Sequence, residues 1–163
     1  MNFDPIRDLI RTPISIINIT SGGGLQYNSI AEIWGNPKGG KSTFCYQTGS
    51  YFLTDYSDRA VLLILDVEAS ANLHRLKHVF QIRPGVKTNE KNEQVVVEGG
   101  DPRVILAHAP TVEGAATLTR HYIKKCQKED KFLFVIWDSV TASSPAKEYE
   151  EAQKAASDNS EAN

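Results

Sequence analysis

Apolar residues along this chain fall into blocks whose period switches between strand and helix. Residues 60–66, 103–107 and 131–138 are nearly continuous apolar runs, the last reading Phe132-Leu133-Phe134-Val135-Ile136-Trp137-Asp138 after Lys131. Short runs of this kind suit strands covered on both faces, as in a parallel sheet. The run Ile30-Ala31-Glu32-Ile33-Trp34 predicts one more strand, leading into an amphipathic helix over residues 42–55. Between these runs the spacing is helical. Leu73, Leu76, Val79 and Phe80 share one face, with Ser70 as the cap; Leu118, Tyr122 and Cys126 share another, with Thr111 as the cap. Strands and helices alternating in this way predict an α/β fold, a mainly parallel sheet with right-handed crossovers and helices on both faces.

Three segments stand outside the repeat. Residues 1–28 are a lead-in: Asp4-Pro5 begins a weak amphipathic turn, residues 14–19 are rich in isoleucine, and Gly22-Gly23-Gly24 marks a break. Residues 83–101 carry Pro84-Gly85 at one end, Gly99-Gly100 at the other and a polar turn over residues 87–93. With Val95-Val96-Val97 inside, they predict a surface hairpin inserted between helix and strand. Residues 146–163 form a polar tail, helical around residues 147–155, where Glu150 and Lys154 stand at i,i+4, and fraying beyond.

The break between the first apolar run and its helix carries the chemistry. Gly35-Asn36-Pro37-Lys38-Gly39-Gly40-Lys41-Ser42-Thr43 is a complete G-x-x-x-x-G-K-[ST] phosphate-binding loop. Glycines let the backbone curl so that successive N–H groups converge on phosphate oxygens. Lys41 brings a positive charge to the β- and γ-phosphates, and the Ser42 hydroxyl can join a Mg²⁺ shell. A following helix puts its dipole behind the anion. Lys38 adds positive potential nearby.

Two carboxylates end apolar runs. Asp138 either orders Mg²⁺ or caps the next turn; the loop upstream favours the metal. Glu68 stands two residues past Asp66, at the strand ends where open parallel sheets bind ligands. It either holds and polarises the water that attacks a γ-phosphate or is a solvated carboxylate opening the next helix. His74 and His78 lie at i,i+4, but no third ligand accompanies them at a recognisable spacing. Trp34 and Trp137 are expected to pack in the core.

Composition adds bounds rather than functions. A chain of 163 residues has the length of one domain. The net charge of −2 gives no global attraction to nucleic acid, so DNA affinity needs a local surface or an assembly. No apolar run approaches the ~20 residues of a membrane span, and no signal-peptide pattern opens the chain. Cys45 and Cys126 read as reduced, partly buried thiols on helices.

Taken in order, several motifs resemble the ATPase core of RecA-type recombinases, and most closely phage recombinases of the UvsX kind. They are Gly22-Gly23-Gly24-Leu25, the run ending in Trp34-Gly35, the phosphate loop, and Leu65-Asp66-Val67-Glu68. Asp101-Pro102-Arg103-Val104-Ile105 follows, leading through Pro110 into a helix, and then Trp137-Asp138-Ser139-Val140 with Ser144-Pro145. The resemblance spans roughly residues 12–150. It implies a three-layer P-loop NTPase with its core over residues 29–145, binding ATP and Mg²⁺ through residues 35–43. Lys41, Ser42 and Thr43 are then assigned to phosphates and metal and Glu68 to activating the hydrolytic water. Asp138 with Ser139 is assigned to the metal shell and γ-phosphate sensing. It also implies filaments on single-stranded DNA, a role in homologous recombination and repair, no membrane, and the cytoplasm of a bacterial or phage-infected cell.

The departures matter as well. Residue 163 falls about where the family's first DNA-binding loop would begin, so the C-terminal part of the sheet is expected to be missing. In the family, a strand absent here separates the phosphate-loop strand from the Asp138 strand; those two are expected to flank a vacant position. Where the family often has an aromatic residue near the adenine, this chain has His74 and Arg75. The alternatives are a nucleotide-binding module without DNA activity of its own and, more remotely, a hexameric helicase-type motor.

Overall fold

The computed structural model describes residues 9–69, 71–88 and 93–161. The expected turn at Asp4-Pro5, the Ser70 cap and the centre of the 87–93 turn lie outside the described residues. A five-stranded, mostly parallel sheet forms the middle layer. Strands β1 (Leu9–Ile10) and β2 (Leu25–Gln26) make a separate antiparallel pair around the short helix α1 (Ser15–Thr20), where the isoleucine-rich run coils rather than extends. Helix α2 (Lys41–Asp55) leads to strand β3 (Ala60–Asp66), and helix α3 (Leu73–His78) to the hairpin of β4 (Pro84–Thr88) and β5 (Gln94–Val96). Strand β6 (Asp101–His108), helix α4 (Val112–Lys128), strand β7 (Phe132–Asp138) and helix α5 (Ala146–Glu161) complete the order. The sheet runs β5-β4-β6-β3-β7.

Strand β3 is buried along its whole length because both faces are covered. Ala60, Leu62 and Ile64 pack with Phe52 and Leu53 of α2 and Leu76 of α3, while Val61, Leu63 and Leu65 pack with Leu118, Tyr122 and Cys126 of α4. Fully burying a Val, Leu, Ile or Phe side chain contributes about 1.5–3 kcal/mol. Helix α2 lies close on the sheet at Gly49, where a Cβ would come within 3.2 Å of Ile136 and 3.3 Å of Leu62. Cys45 and Cys126 are free thiols in the cores on opposite faces of the sheet. No helix among the described residues is long and apolar enough to cross a membrane.

Several expectations need correction. Residues 30–34 are not a strand: they pair with no described strand, the free edge of β7 included, so the run has no strand neighbour. Without that neighbour its apolar side chains stay in water. Ile30 is 100% exposed, and Trp34, expected in the core, is 86% exposed. The outer edge of β7 therefore stands open on the described chain, a row of backbone groups of the kind that invites association. The 83–101 segment is a hairpin, but no surface appendage, since β4 pairs in parallel with β6 and extends the sheet. Helix α3 stops at His78, leaving Val79 60% exposed. Helix α5 runs to Glu161 instead of fraying after residue 155, and its start is docked by Ala146 N donating to Glu113 Oε2 at 2.9 Å.

Arg103 ties the start of β6 to the end of α2. It donates to Asp101 through Nε at 3.0 Å and Nη2 at 2.6 Å, and through Nη1 to the carbonyls of Leu53 and Ser57. Burial pushes the Asp101 carboxyl up, but the Arg103 hydrogen bonds and charge together outweigh it and hold it below its usual range. A carboxylate with a depressed folded pKa stabilises above its unfolded pKa and loses that contribution as pH falls through the folded value. Arg103→Ala is expected to cost about 2 kcal/mol at neutral pH. Denaturant melts at decreasing pH check this: the gap from the parent should narrow below the ordinary carboxylate range.

Candidate functional site

Strands β3 and β7 end in register, Asp66 opposite Asp138, and Val67 N donates to the Asp138 carbonyl at 3.1 Å. Parallel strands bring their C-terminal ends to one edge, and α2 begins at that same edge. The contact that shows this is the Tyr46 hydroxyl donating to Asp138 Oδ2 at 3.2 Å. Tyr46 lies four residues after Ser42, so both side chains fall on the helix face turned toward Asp138. Burial, then the Asp138 charge, pushes the Tyr46 phenol up, so it stays a donor. The same two causes push the Cys45 thiol to about 11, which leaves it protonated at neutral pH.

The loop itself is exposed over residues 35–40. A turn closes it, Gly39 N donating to Asn36 O at 3.1 Å after Pro37 and a left-handed Lys38 with φ 63°. Gly40 sits at the N-cap of α2 with φ 87°, a conformation that favours glycine, and it has no side chain to cap the helix. By contrast, Asn72 caps α3 and Thr111 caps α4. The N–H groups of Lys41, Ser42 and Thr43 consequently have no acceptor among the described residues. Lys41 folds back over the loop, Nζ donating to Gly35 O and Asn36 O at 3.0 Å each. Its charge is thus fixed at the loop beside three amides that point the same partial charge outward.

Glu68 lies in the exposed bend after β3, and its carboxylate has no hydrogen-bond or ion-pair partner among the described residues. The bend is closed behind it by Ala71 N donating to the buried Asp66 Oδ2 at 2.9 Å. Asp138 is half-buried, with Ser139 beside it; the Ser139 hydroxyl lies 3.3 Å from that of Thr141. Trp137 packs against the α4-side core and donates Nε1–H to Ser143 Oγ at 2.9 Å, which fixes the turn beyond β7.

The elements that carry the predicted residues thus meet at one edge of the sheet: the loop and Ser42 where α2 begins, Asp138 and Ser139 where β7 ends, and Glu68 after β3. His74 and His78 stack on each other, ring centroids 4.4 Å apart. Among the described residues no group of three or more His, Cys, Asp or Glu side chains clusters as a metal site. One residue, Tyr46, and one contact, that of Arg75 with Thr43, escaped sequence reasoning. Tyr46 looked like one more helix residue, although its i,i+4 relation to Ser42 was available. Arg75 reaches Thr43 Oγ1 through Nη2 at 2.7 Å, a contact between elements with no sequence signal. A cavity of about 130 Å³ lies elsewhere, lined by Val86, Tyr122 and Cys126. The chain matches no protein-family model, no curated protein and no solved structure.

Proposed function

We propose that this chain is the ATP-binding and ATP-hydrolysing core of a RecA-type recombinase, a P-loop NTPase that assembles on single-stranded DNA in recombination and repair. The observation that carries the nucleotide reading is Lys41: its ammonium is held over the loop on the carbonyls of Gly35 and Asn36, next to the unpaired amides of residues 41–43. A phosphate arriving there replaces two carbonyl acceptors with charged oxygens and meets converging N–H donors.

The oxygen donors where α2 begins and β7 ends are of the kind Mg²⁺ takes. Ser42 offers a hydroxyl and Asp138 a carboxylate, hard oxygen ligands of the type this ion takes together with phosphates and water. Mg²⁺ bound there would neutralise charge developing on the β- and γ-phosphates. Tyr46 fixes one oxygen of the Asp138 carboxylate, which leaves the other for the metal or its water shell. In this reading the Ser139 hydroxyl, beside Asp138, senses the γ-phosphate. Glu68, unpaired and exposed at the same edge, orients the attacking water and takes its proton. The new bond forms between that water oxygen and the γ-phosphorus as the bond to the bridging oxygen of ADP breaks.

A second reading, a nucleotide-binding module that does not hold DNA alone, is favoured by the charge of α5. Its exposed start carries Glu148, Glu150 and Glu151 against Lys147 and Lys154, which repels a phosphate backbone. Binding of labelled single-stranded DNA, read by anisotropy with and without Mg·ATP across a salt series, separates the two. The expected result for the isolated chain is Mg·ATP binding with weak DNA binding. Micromolar, salt-sensitive DNA binding by this chain alone would contradict that expectation, and absence of nucleotide binding would remove the nucleotide reading itself.

A further inference from the structure

Arg75 belongs to an element that the loop motif does not include, and it reaches the loop. It sits in the first turn of α3, its backbone N–H donating to Asn72 Oδ1 at 2.9 Å. Its guanidinium carbon lies 5.4 Å from the centre of the Phe80 ring, and its Nη2 donates to Thr43 Oγ1 at 2.7 Å. The other donors of the fork have no partner among the described residues, and the side chain is exposed. One edge of the guanidinium is therefore fixed, and the rest is presented beside the unpaired N–H of Thr43.

Thr43 stands two residues beyond Lys41, about 200° further round the helix. Arg75 is thus a cation on a different side of the helix start from the Lys41 ammonium. In a loop of this type the lysine serves the β- and γ-phosphates, and the backbone amides cradle the α- and β-phosphates. We propose that Arg75 is a second cation of the nucleotide site, which binds oxygens of the α-phosphate. A planar fork with free N–H groups suits two oxygens of one phosphate, whereas an ammonium offers only a point charge. The contact is made equally by di- and triphosphates, so Arg75 supplies affinity without telling ATP from ADP. This inference rests on the nucleotide-binding reading above.

Equilibrium dialysis of the full chain against Mg·ATP, Mg·ADP and Mg·tripolyphosphate tests it, with parent, Arg75→Ala, Arg75→Lys and Lys41→Ala compared. Arg75→Ala is expected to weaken all three ligands by about tenfold, and Arg75→Lys by less. An unchanged thermal melt for Arg75→Ala shows that the exposed side chain was removed without unfolding the chain. Equal affinities for parent and Arg75→Ala, with Lys41→Ala weakened, would overturn the role of Arg75 and leave the loop assignment standing. Loss confined to ATP and ADP, with tripolyphosphate unaffected, would also overturn it, because the contact would then lie on ribose or base. A parent that binds none of the three ligands would overturn both readings together.

Discussion

Lys41→Ala is expected to weaken Mg·ATP binding by about a hundredfold or more, measured by calorimetry. Hydrogen bonds to charged groups contribute about 1.5–3 kcal/mol each, and in the proposed site the ammonium would bring more than one such bond to the phosphates. In the free chain Lys41 Nζ satisfies only the carbonyls of Gly35 and Asn36, both on an exposed loop. Those carbonyls turn to water when the side chain is removed, so thermal stability should change little. A large loss of affinity at nearly constant stability distinguishes a binding residue from a structural one. Unchanged affinity would remove the phosphate assignment of residues 35–43.

Glu68→Gln should do the opposite. Its carboxylate contacts no other described group, so the substitution costs no packing, and no ground-state phosphate contact is assigned to it. Losing the base proposed to orient and deprotonate the attacking water is expected to lower kcat by about 10²–10⁴-fold, with Mg·ATP affinity kept within about threefold. Phosphate release in the presence of single-stranded DNA, alongside nucleotide titration, separates the two quantities. Parental turnover in this variant would assign the water to another group.

The strands legible in the sequence were those that pack apolar side chains on both faces. Residues 60–66 and 131–138 read as apolar runs because β3 and β7 are covered on two faces, and Thr111 read as a cap because its hydroxyl accepts from Gly114 N at 3.1 Å. Residues 30–34 misled for the same reason that makes apolar runs informative. Composition reports what a segment would bury given a neighbour, and this one has no ladder partner among the described strands. The hairpin was legible locally through its glycines, but its pairing with β6 is a long-range register that turn residues do not encode. At the candidate site the loop, Glu68 and Asp138 were picked out by motif chemistry, and the fold brings the elements that carry them to one edge. Tyr46 and Arg75 act through contacts between elements, which appear only once α2, α3 and β7 are brought to one edge.

The central claim is that phosphate binds where the loop enters α2 and the metal where β7 ends. The most direct measurement is an amide-resolved NMR titration of the full chain with Mg·ATP and, separately, with ATP in the presence of a chelator. The expected result is that the largest shifts fall on Gly39, Gly40, Lys41, Ser42 and Thr43 in both titrations, with Asp138 and Ser139 joining only when Mg²⁺ is present. Shifts centred on the β4–α4 cavity, or none at residues 39–43, would contradict it.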